Sequence, residues 1–175
     1  MRYLKVAAQD RSGNGRADTV LLQFRDDSTQ LVFKAFAVDL TADGSIEFSY
    51  AGDINCNGGE NLQDQKQLNV FAEAFLKLNW FNIGDSVVRY VKLEARDYHG
   101  DGSPNIVNLH FIEDDGLPCT PIKMRTASAY DGTNDGNLDS FTNSDINGDG
   151  IANTADKLLM RELSEAFLAF RWFQR

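Results

Sequence analysis

One segment of the chain reads Asp145-Ile-Asn-Gly-Asp-Gly-Ile-Ala-Asn-Thr-Ala-Asp156, and the apolar run Lys157-Leu-Leu-Met160 follows it directly. Oxygen-bearing side chains stand at positions 1, 3, 5, 9 and 12 of the segment, and Gly150 stands at position 6. Calcium takes about six to eight oxygen ligands, and a loop with this spacing supplies them around one sharp turn. We therefore predict a calcium site formed by Asp145, Asn147, Asp149, the Ile151 carbonyl, Asn153 and Asp156.

The same spacing occurs once more, between Asp53 and Asp64. This second loop has one carboxylate fewer at its ligand positions than the first, so we expect weaker calcium binding there, because the charge of the ligands tunes affinity. Its predicted ligands are Asp53, Asn55, Asn57, the Gly59 carbonyl, Asn61 and Asp64.

The two loops belong to an internal repeat. Arg2–Asp10 aligns with Arg89–Asp97, and the loops and the segments after them align in the same order. The repeats run over 1–82 and 87–175, and the joint between them, Ile83–Ser86, is too short to act as a flexible linker. We expect the two repeats to share one core.

The hydrophobic period changes once in each repeat. Apolar residues alternate at Leu4, Val6 and Ala8, which indicates a strand with one buried face, and further strands are predicted near 20–24, 31–38 and 46–50. After the long loop the spacing becomes helical, and both helices are apolar on more than one side, so we expect them to pack together as well as on the sheets. The predicted fold class is α+β. It consists of two tandem ββββα repeats with antiparallel sheets, each followed by a calcium loop and a helix, related by a pseudo-twofold axis.

Shorter acidic loops recur between the predicted strands. Each has Asp at position 1, an oxygen at position 3, Asp or Asn at position 5, glycine at position 6 and an oxygen at position 9. They are candidate calcium sites, with ordinary hairpin turns as the alternative. The candidate ligands are Asp10, Ser12, Asn14 and Asp18; Asp39, Thr41, Asp43 and Glu47; Asp97, His99, Asp101 and Asn105; and Asp131, Thr133, Asp135 and Asp139.

The segment from Asp145 to Met160 resembles the dockerin calcium-binding repeat, a loop-helix variant of the EF-hand. The resemblance covers about 20 residues of each repeat and implies Ca2+ as the bound ion. The hydroxyl pair with which dockerins often contact cohesin is Thr154-Ala155 in one repeat and Leu62-Gln63 in the other. The short loops are similar to the strand-loop-strand calcium sites of FG-GAP repeats, without the Phe-Gly and Gly-Ala-Pro signature of that family.

Composition excludes several classes of function. The net charge of −9 argues against a nucleic-acid partner, and no apolar run is long enough to span a membrane. The chain shows no signal peptide; we nevertheless expect a secreted or cell-surface protein, with a cytoplasmic one as the alternative. Cys56 and Cys119 either form one disulfide or remain unpaired.

The sequence predicts a calcium-stabilised module with a structural, adhesive or binding role. Its partner would be another protein or a surface glycan, and the alternatives are a dockerin-like interaction module and a calcium sensor or buffer. An enzyme is not expected, because no nucleophile motif is present. The histidines, His99 and His110, are expected to be solvated at the surface.

Overall fold

The computed structural model describes residues 1–82, 88–114 and 122–174, and this part of the chain forms a mixed sheet-and-helix fold. The first elements are β1 (Tyr3–Gln9), β2 (Thr19–Arg25), β3 (Leu31–Val38), β4 (Phe48–Tyr50) and α1 (Leu62–Leu76). The later ones are β5 (Val88–Arg96), β6 (Ile106–Asp114), β7 (Ile122–Tyr130), β8 (Ser140–Phe141) and α2 (Thr154–Ala169). Short 3-10 helices, absent from the predictions, follow each α-helix at Asn79–Phe81 and Trp172–Gln174.

All eight strands lie in one antiparallel sheet, in the order β4-β3-β2-β1-β5-β6-β7-β8. The α+β class is confirmed, but separate sheets for the two halves are not found. β1 and β5 pair directly at the centre, with Leu4 opposite Leu93 and Val6 opposite Val91. An unpaired strand edge presents free N–H and C=O groups. The pairing of β1 with β5 satisfies the hydrogen bonding of such groups on both strands.

The core lies between one face of the sheet and the two helices. Leu4 and Val6 from β1 join Phe71 of α1 and Phe167 of α2 in a single hydrophobic cluster. The helices also contact each other, as expected from their apolar faces. Burial of each large apolar side chain contributes about 1.5–3 kcal/mol, so this shared layer is the main source of stability.

The boundaries of two predicted elements differ from expectation. Ile46, predicted to begin β4, precedes that strand and packs half-buried against the core. Leu78, predicted on the first helix, lies beyond the end of α1 and is buried all the same. Both residues are apolar because they pack in the core, and a residue can do so without belonging to the neighbouring strand or helix.

The opposite face of the sheet carries polar side chains. Lys5, Lys92, Glu94 and His110 alternate with the buried residues of β1, β5 and β6. His110 is not solvated as predicted: its side chain is 16% exposed, and its Nε2 lies 3.3 Å from Glu94 Oε1. None of the described helices combines the length and the apolar character that crossing a membrane requires.

Candidate metal centres

The six acidic loops share one backbone conformation at their turns. In the loop from Asp145, Gly148 at position 4 has φ of 77° and Gly150 at position 6 has φ of 90°. The long and short loops therefore begin in the same way, although only the long ones continue to a twelfth position. The corresponding residues with positive φ in the other five loops are Gly13 and Gly15, Ala42 and Gly44, Cys56 and Gly58, Gly100 and Gly102, and Asn134 and Gly136.

This conformation turns backbone N–H groups toward the first aspartate. Asp145 Oδ1 accepts from Gly148 N at 2.8 Å, and its Oδ2 accepts from Gly150 N at 2.8 Å. Asp149, at position 5, accepts from Ile151 N at 2.8 Å. These hydrogen bonds fix the orientation of the Asp145 and Asp149 carboxylates.

Three carboxylates converge in this loop. One oxygen each from Asp145, Asp149 and Asp156 lie within 4.8 Å of one another. Asp156 is 1% exposed and accepts from the N–H groups of Ile146 and Asn147, which lie near the start of the loop. The last predicted ligand is thus brought back beside the first, as a ligand shell requires.

Asp156 is ionised at neutral pH. Burial acts to raise its pKa, but hydrogen bonds from the N–H groups of Asn147, Asn153 and Ile146 outweigh burial, so the pKa lies below the usual value. An ionised oxygen donor of this kind is what a hard divalent cation takes.

Asn153 has a structural role that the sequence prediction missed. Its Oδ1 accepts from Ala155 N at 2.7 Å as the N-cap of α2, and Asp156 completes a capping box by accepting from Asn153 N. Its Nδ2 also donates to the Ile151 carbonyl at 3.0 Å. The motif of Asn followed three residues later by Asp could have revealed this cap.

The loop from Asp53 to Asp64 repeats the same scheme. Asp53 accepts from Asn57 N and Gly58 N, and the fully buried Asp64 accepts from Asn55 N. With only two carboxylates at its ligand positions, Asp53 and Asp64, it does not form a three-acid group. The remaining predicted positions, Gly59 and Asn61, are linked by a hydrogen bond from Asn61 Nδ2 to the Gly59 carbonyl, and Asn61 caps α1.

One short loop also brings three acids together. Oxygen atoms of Asp39, Asp43 and Glu47 lie within 4.8 Å of one another, and Asp39 is buried. Thr41, predicted as a ligand, donates from Oγ1 to Glu47 Oε1 at 3.1 Å. A hydrogen bond from Ser45 N lowers the pKa of Asp43 below its ordinary value.

In the other three short loops, backbone N–H groups of the turn likewise donate to the first aspartate. In the 10–18 loop, Asp10 accepts from Gly13 N and Gly15 N at 2.7 Å each, and Ser12 Oγ donates to it at 3.3 Å. Asn14 accepts from Arg16 N, while Asp18 accepts from Arg11 N. In the 131–139 loop Asp131 accepts from Asp135 N and Gly136 N, and Asp139 accepts from Gly132 N.

The 97–105 loop departs from the pattern at its end. Asp97 accepts from Gly100 N and Gly102 N, but the last position is Asn105, which accepts from His99 N through its amide oxygen. The His99 side chain is exposed, and its ring packs edge-on against that of Tyr98, with the centroids 5.6 Å apart. Like the 10–18 loop, it has two carboxylates among its candidate ligands, whereas the 39–47 and 131–139 loops have three each.

Adjacent short loops contact each other, which the sequence did not predict. Asn134 Nδ2 donates to Asp101 Oδ2 at 2.7 Å, and Asn105 Nδ2 donates to Asn134 Oδ1. At the other end of the sheet, the Asp39 N–H donates to the Asp18 carbonyl at 2.8 Å. The four short loops therefore form two pairs, one at each end of the sheet.

Comparison with protein-family models, curated proteins and solved structures found no match to this chain. Cys119 lies outside the described residues, so both alternatives for Cys56 and Cys119, one disulfide or two unpaired thiols, stand as predicted.

Proposed function

We propose that this chain is a calcium-binding module in which Ca2+ ions fasten the loops of the sheet to each other and to the two helices. The observation that carries the proposal is the convergence of Asp145, Asp149 and Asp156 within 4.8 Å. Three carboxylates this close repel one another at neutral pH, and a divalent cation converts that repulsion into attraction.

Calcium acts here as a structural fastener because of where the long loops lie. Each one leads directly into a helix, and its last aspartate is buried at the first turn of that helix. An ion held between Asp145 and Asp156 therefore ties the segment after β8 to the start of α2. Binding that occurs only in the folded state adds its free energy to stability.

A duplicated architecture supports several equivalent sites. Four strands followed by a helix occur twice along the chain, and the order of the sheet is symmetric about the β1–β5 pair. We infer two ββββα units related by a pseudo-twofold axis, corresponding to 1–82 and 87–175. Each unit contributes two short loops and one long loop.

A role outside the cytoplasm accords with this chemistry. Extracellular modules bind calcium with dissociation constants of about 0.1–1 mM, which suffices where the ion is abundant. In such a setting the ions would be bound constantly and would maintain the fold, rather than report a change in concentration. The partner in this role would be another protein or a surface glycan.

A calcium titration by isothermal calorimetry tests the proposal, with Asp145→Asn as the variant. We expect saturable binding by the wild-type chain and at least a roughly tenfold weaker affinity at one site in the variant, because one charged ligand is lost. Two bound ions would restrict binding to the long loops, and four to six would include the short ones.

Asp26→Asn is the matched control. Asp26 also accepts backbone N–H bonds, from Ser28 and Gln30, but it lies in the β2–β3 turn outside every predicted site. The control should bind calcium like the wild type. Absence of calcium binding in the wild-type chain, or equal losses in both variants, would contradict the proposal.

Docking of another protein is the second candidate function. It is favoured by exposed apolar side chains on the helices, among them Leu62, Val70 and Leu158, which are 83%, 51% and 52% exposed. Calcium-dependent binding of a purified protein that is abolished by Val70→Asp would support docking. Undiminished binding by that variant would argue against the helix surface as the docking site.

A further inference from the structure

The face of the sheet that the helices leave open contains a pocket of about 320 Å³ where β1 and β5 meet. This pocket shares no residue with the predicted calcium ligands, because it lies where β1 begins and β2 ends, beside the first half of β5. It is lined by Tyr3, Lys5, Arg25, Thr29, Tyr90 and Lys92.

Two lysines face each other across the strands at this pocket. Lys5 and Lys92 are direct partners in the β1–β5 register, an arrangement of like charges that destabilises a sheet. Each ammonium lies over a tyrosine ring: Lys5 Nζ is 3.9 Å from the ring centroid of Tyr90, and Lys92 Nζ is 4.8 Å from that of Tyr3. Cation-π attraction holds both ammonium groups in place but does not itself neutralise their charge.

The carboxylates nearby neutralise only part of this charge. Lys92 Nζ lies 2.9 Å from Glu94, but Glu94 also pairs with Arg96. In the described residues, no carboxylate lies within ion-pair distance of Lys5 or Arg25.

The hydrogen bonds of Arg25 lead to neutral acceptors. Its guanidinium donates to the Thr29 carbonyl and to Gln23 Oε1, both at 2.8 Å. These bonds orient the side chain without cancelling its charge.

The surroundings of Lys5 disfavour its charged form. Burial lowers the pKa of Lys5, the charge of Arg25 lowers it further, and the charge of Asp114 opposes them without cancelling the effect. A chain with a net charge of −9 thus keeps an under-neutralised group of cations at one place. An anion at this place would relieve the repulsion between Lys5, Arg25 and Lys92.

We propose that this pocket is a binding site for an oxyanion, the sulfate or carboxylate group of a small ligand, held between the ammonium groups of Lys5 and Lys92. Hydrogen bonds from charged donors to an anionic oxygen are the strong ones, and three cationic side chains supply them here. The volume lies at the low end of the range for ligand pockets, about 300–1,000 Å³, so the site suits an anionic group attached to a single sugar-sized ring.

The test is a titration of the calcium-loaded protein with sodium sulfate and, separately, with glucuronate. Binding is monitored through the NMR chemical shifts of the backbone amides of β1 and β5. Glucose is the matched neutral ligand. We expect saturation with a dissociation constant at or below about 1 mM for at least one anion. Stronger binding of glucuronate would identify a carboxylate ligand, stronger binding of sulfate a sulfate-bearing one, and glucose should cause no saturable shift.

Lys5→Gln provides the decisive variant. It removes one cation and relieves the repulsion with Lys92, so it should fold at least as well as the wild type. Its dissociation constant should rise by roughly tenfold or more, because a hydrogen bond to a charged group is lost. Lys34→Gln is the control, since Lys34 lies in the same row of the sheet, opposite Gln23, but does not line the pocket.

Two results would overturn the proposal. One is the absence of saturable binding for both anions in the wild-type chain. The other is equal affinity of the wild type and the Lys5→Gln variant, which would place any binding elsewhere. Because the pocket shares no residue with the predicted calcium ligands, either result leaves calcium binding standing, and failure of calcium binding leaves the oxyanion site standing.

Discussion

Single residues determine the shape of each acidic loop. Position 4 adopts positive φ in all six loops, and three of the six residues there are not glycine: Ala42, Cys56 and Asn134, with φ of 56°, 58° and 58°. A non-glycine residue in this region costs about 1–2 kcal/mol, and asparagine tolerates it best. The N–H bonds to the first aspartate compensate for the strain, so the loop geometry is maintained even without glycine.

Ala42→Gly should therefore stabilise the protein by about 0.5–1 kcal/mol, because removing the Cβ relieves strain at φ of 56°. Urea unfolding at a constant calcium concentration measures the change. The reverse substitution, Gly13→Ala at the equivalent position, should destabilise by about 1 kcal/mol. No atom lies within 4 Å of a Cβ added at Gly13, so the cost there comes from the backbone alone. A destabilised Ala42→Gly variant would contradict this account.

Among the elements, β5 carries a cluster of charged side chains on the open face of the sheet. Glu94 is 5% exposed at its side chain, yet it contacts Lys92, Arg96 and His110. The hydrogen bond with His110 lowers the pKa of Glu94 most, burial opposes it, and the bonds with Lys92 and Arg96 lower the pKa further, so the result lies far below the usual range. The strand gains a buried charge that is stable because three partners satisfy it.

Glu94→Gln should lower the free energy of unfolding by about 1.5–3 kcal/mol at pH 7, since hydrogen bonds to a charged group are lost. A depressed folded-state pKa contributes stability above the unfolded pKa of about 4.3, and that stability is lost as pH falls toward the folded value. The difference between wild type and variant should thus shrink between pH 5 and pH 3, with guanidinium unfolding at each pH as the measurement. A difference that is constant over this range would exclude the network as its cause.

In the molecule as a whole, the central β1–β5 pair joins the two halves into one sheet and one core. The acidic loops lie at both ends of that sheet and at the starts of both helices. Without ions, the helices are held to the sheet only by the core on one of its faces. Ions bound in the loops would add connections between the strand ends and the helices. Loss of the ions should then weaken the entire fold, not one lobe.

Removal of calcium by a chelator should lower the melting temperature by roughly 10–20 °C. Two sites at a calcium concentration about 100-fold above their dissociation constants contribute about 2.7 kcal/mol each, and each kcal/mol corresponds to about 2–4 °C for a chain of this size. Scanning calorimetry with calcium and with chelator measures the shift, and magnesium in place of calcium is the control. A melting temperature that does not respond to the chelator would refute the fastening role.

Periodicity in the first repeat, extended to the second by their alignment, predicted the eight strands and both helices, because the spacing of apolar residues mostly reflects which side chains are buried. β4 is the exception, since Phe48 and Tyr50 are 55% and 51% exposed. The loops at Asp53–Asp64 and Asp145–Asp156 were equally predictable, since their spacing is local. The Asn-x-x-Asp spacing that begins at Asn61 and at Asn153 also indicates helix caps, a role that the prediction of metal binding did not include. The environment of His110 was not predictable, because its partners Glu94 and Thr126 lie on other strands.

The amino-acid sequence by itself determined the elements, their order and the candidate ligands of each loop, because all of these depend on residues close together in the chain. Only the tertiary structure decided that two halves form one sheet. Backbone hydrogen bonds join β1 to β5, and they carry no side-chain signature. The same pairing sets Lys5 opposite Lys92, residues far apart in the chain, and so creates the cationic pocket.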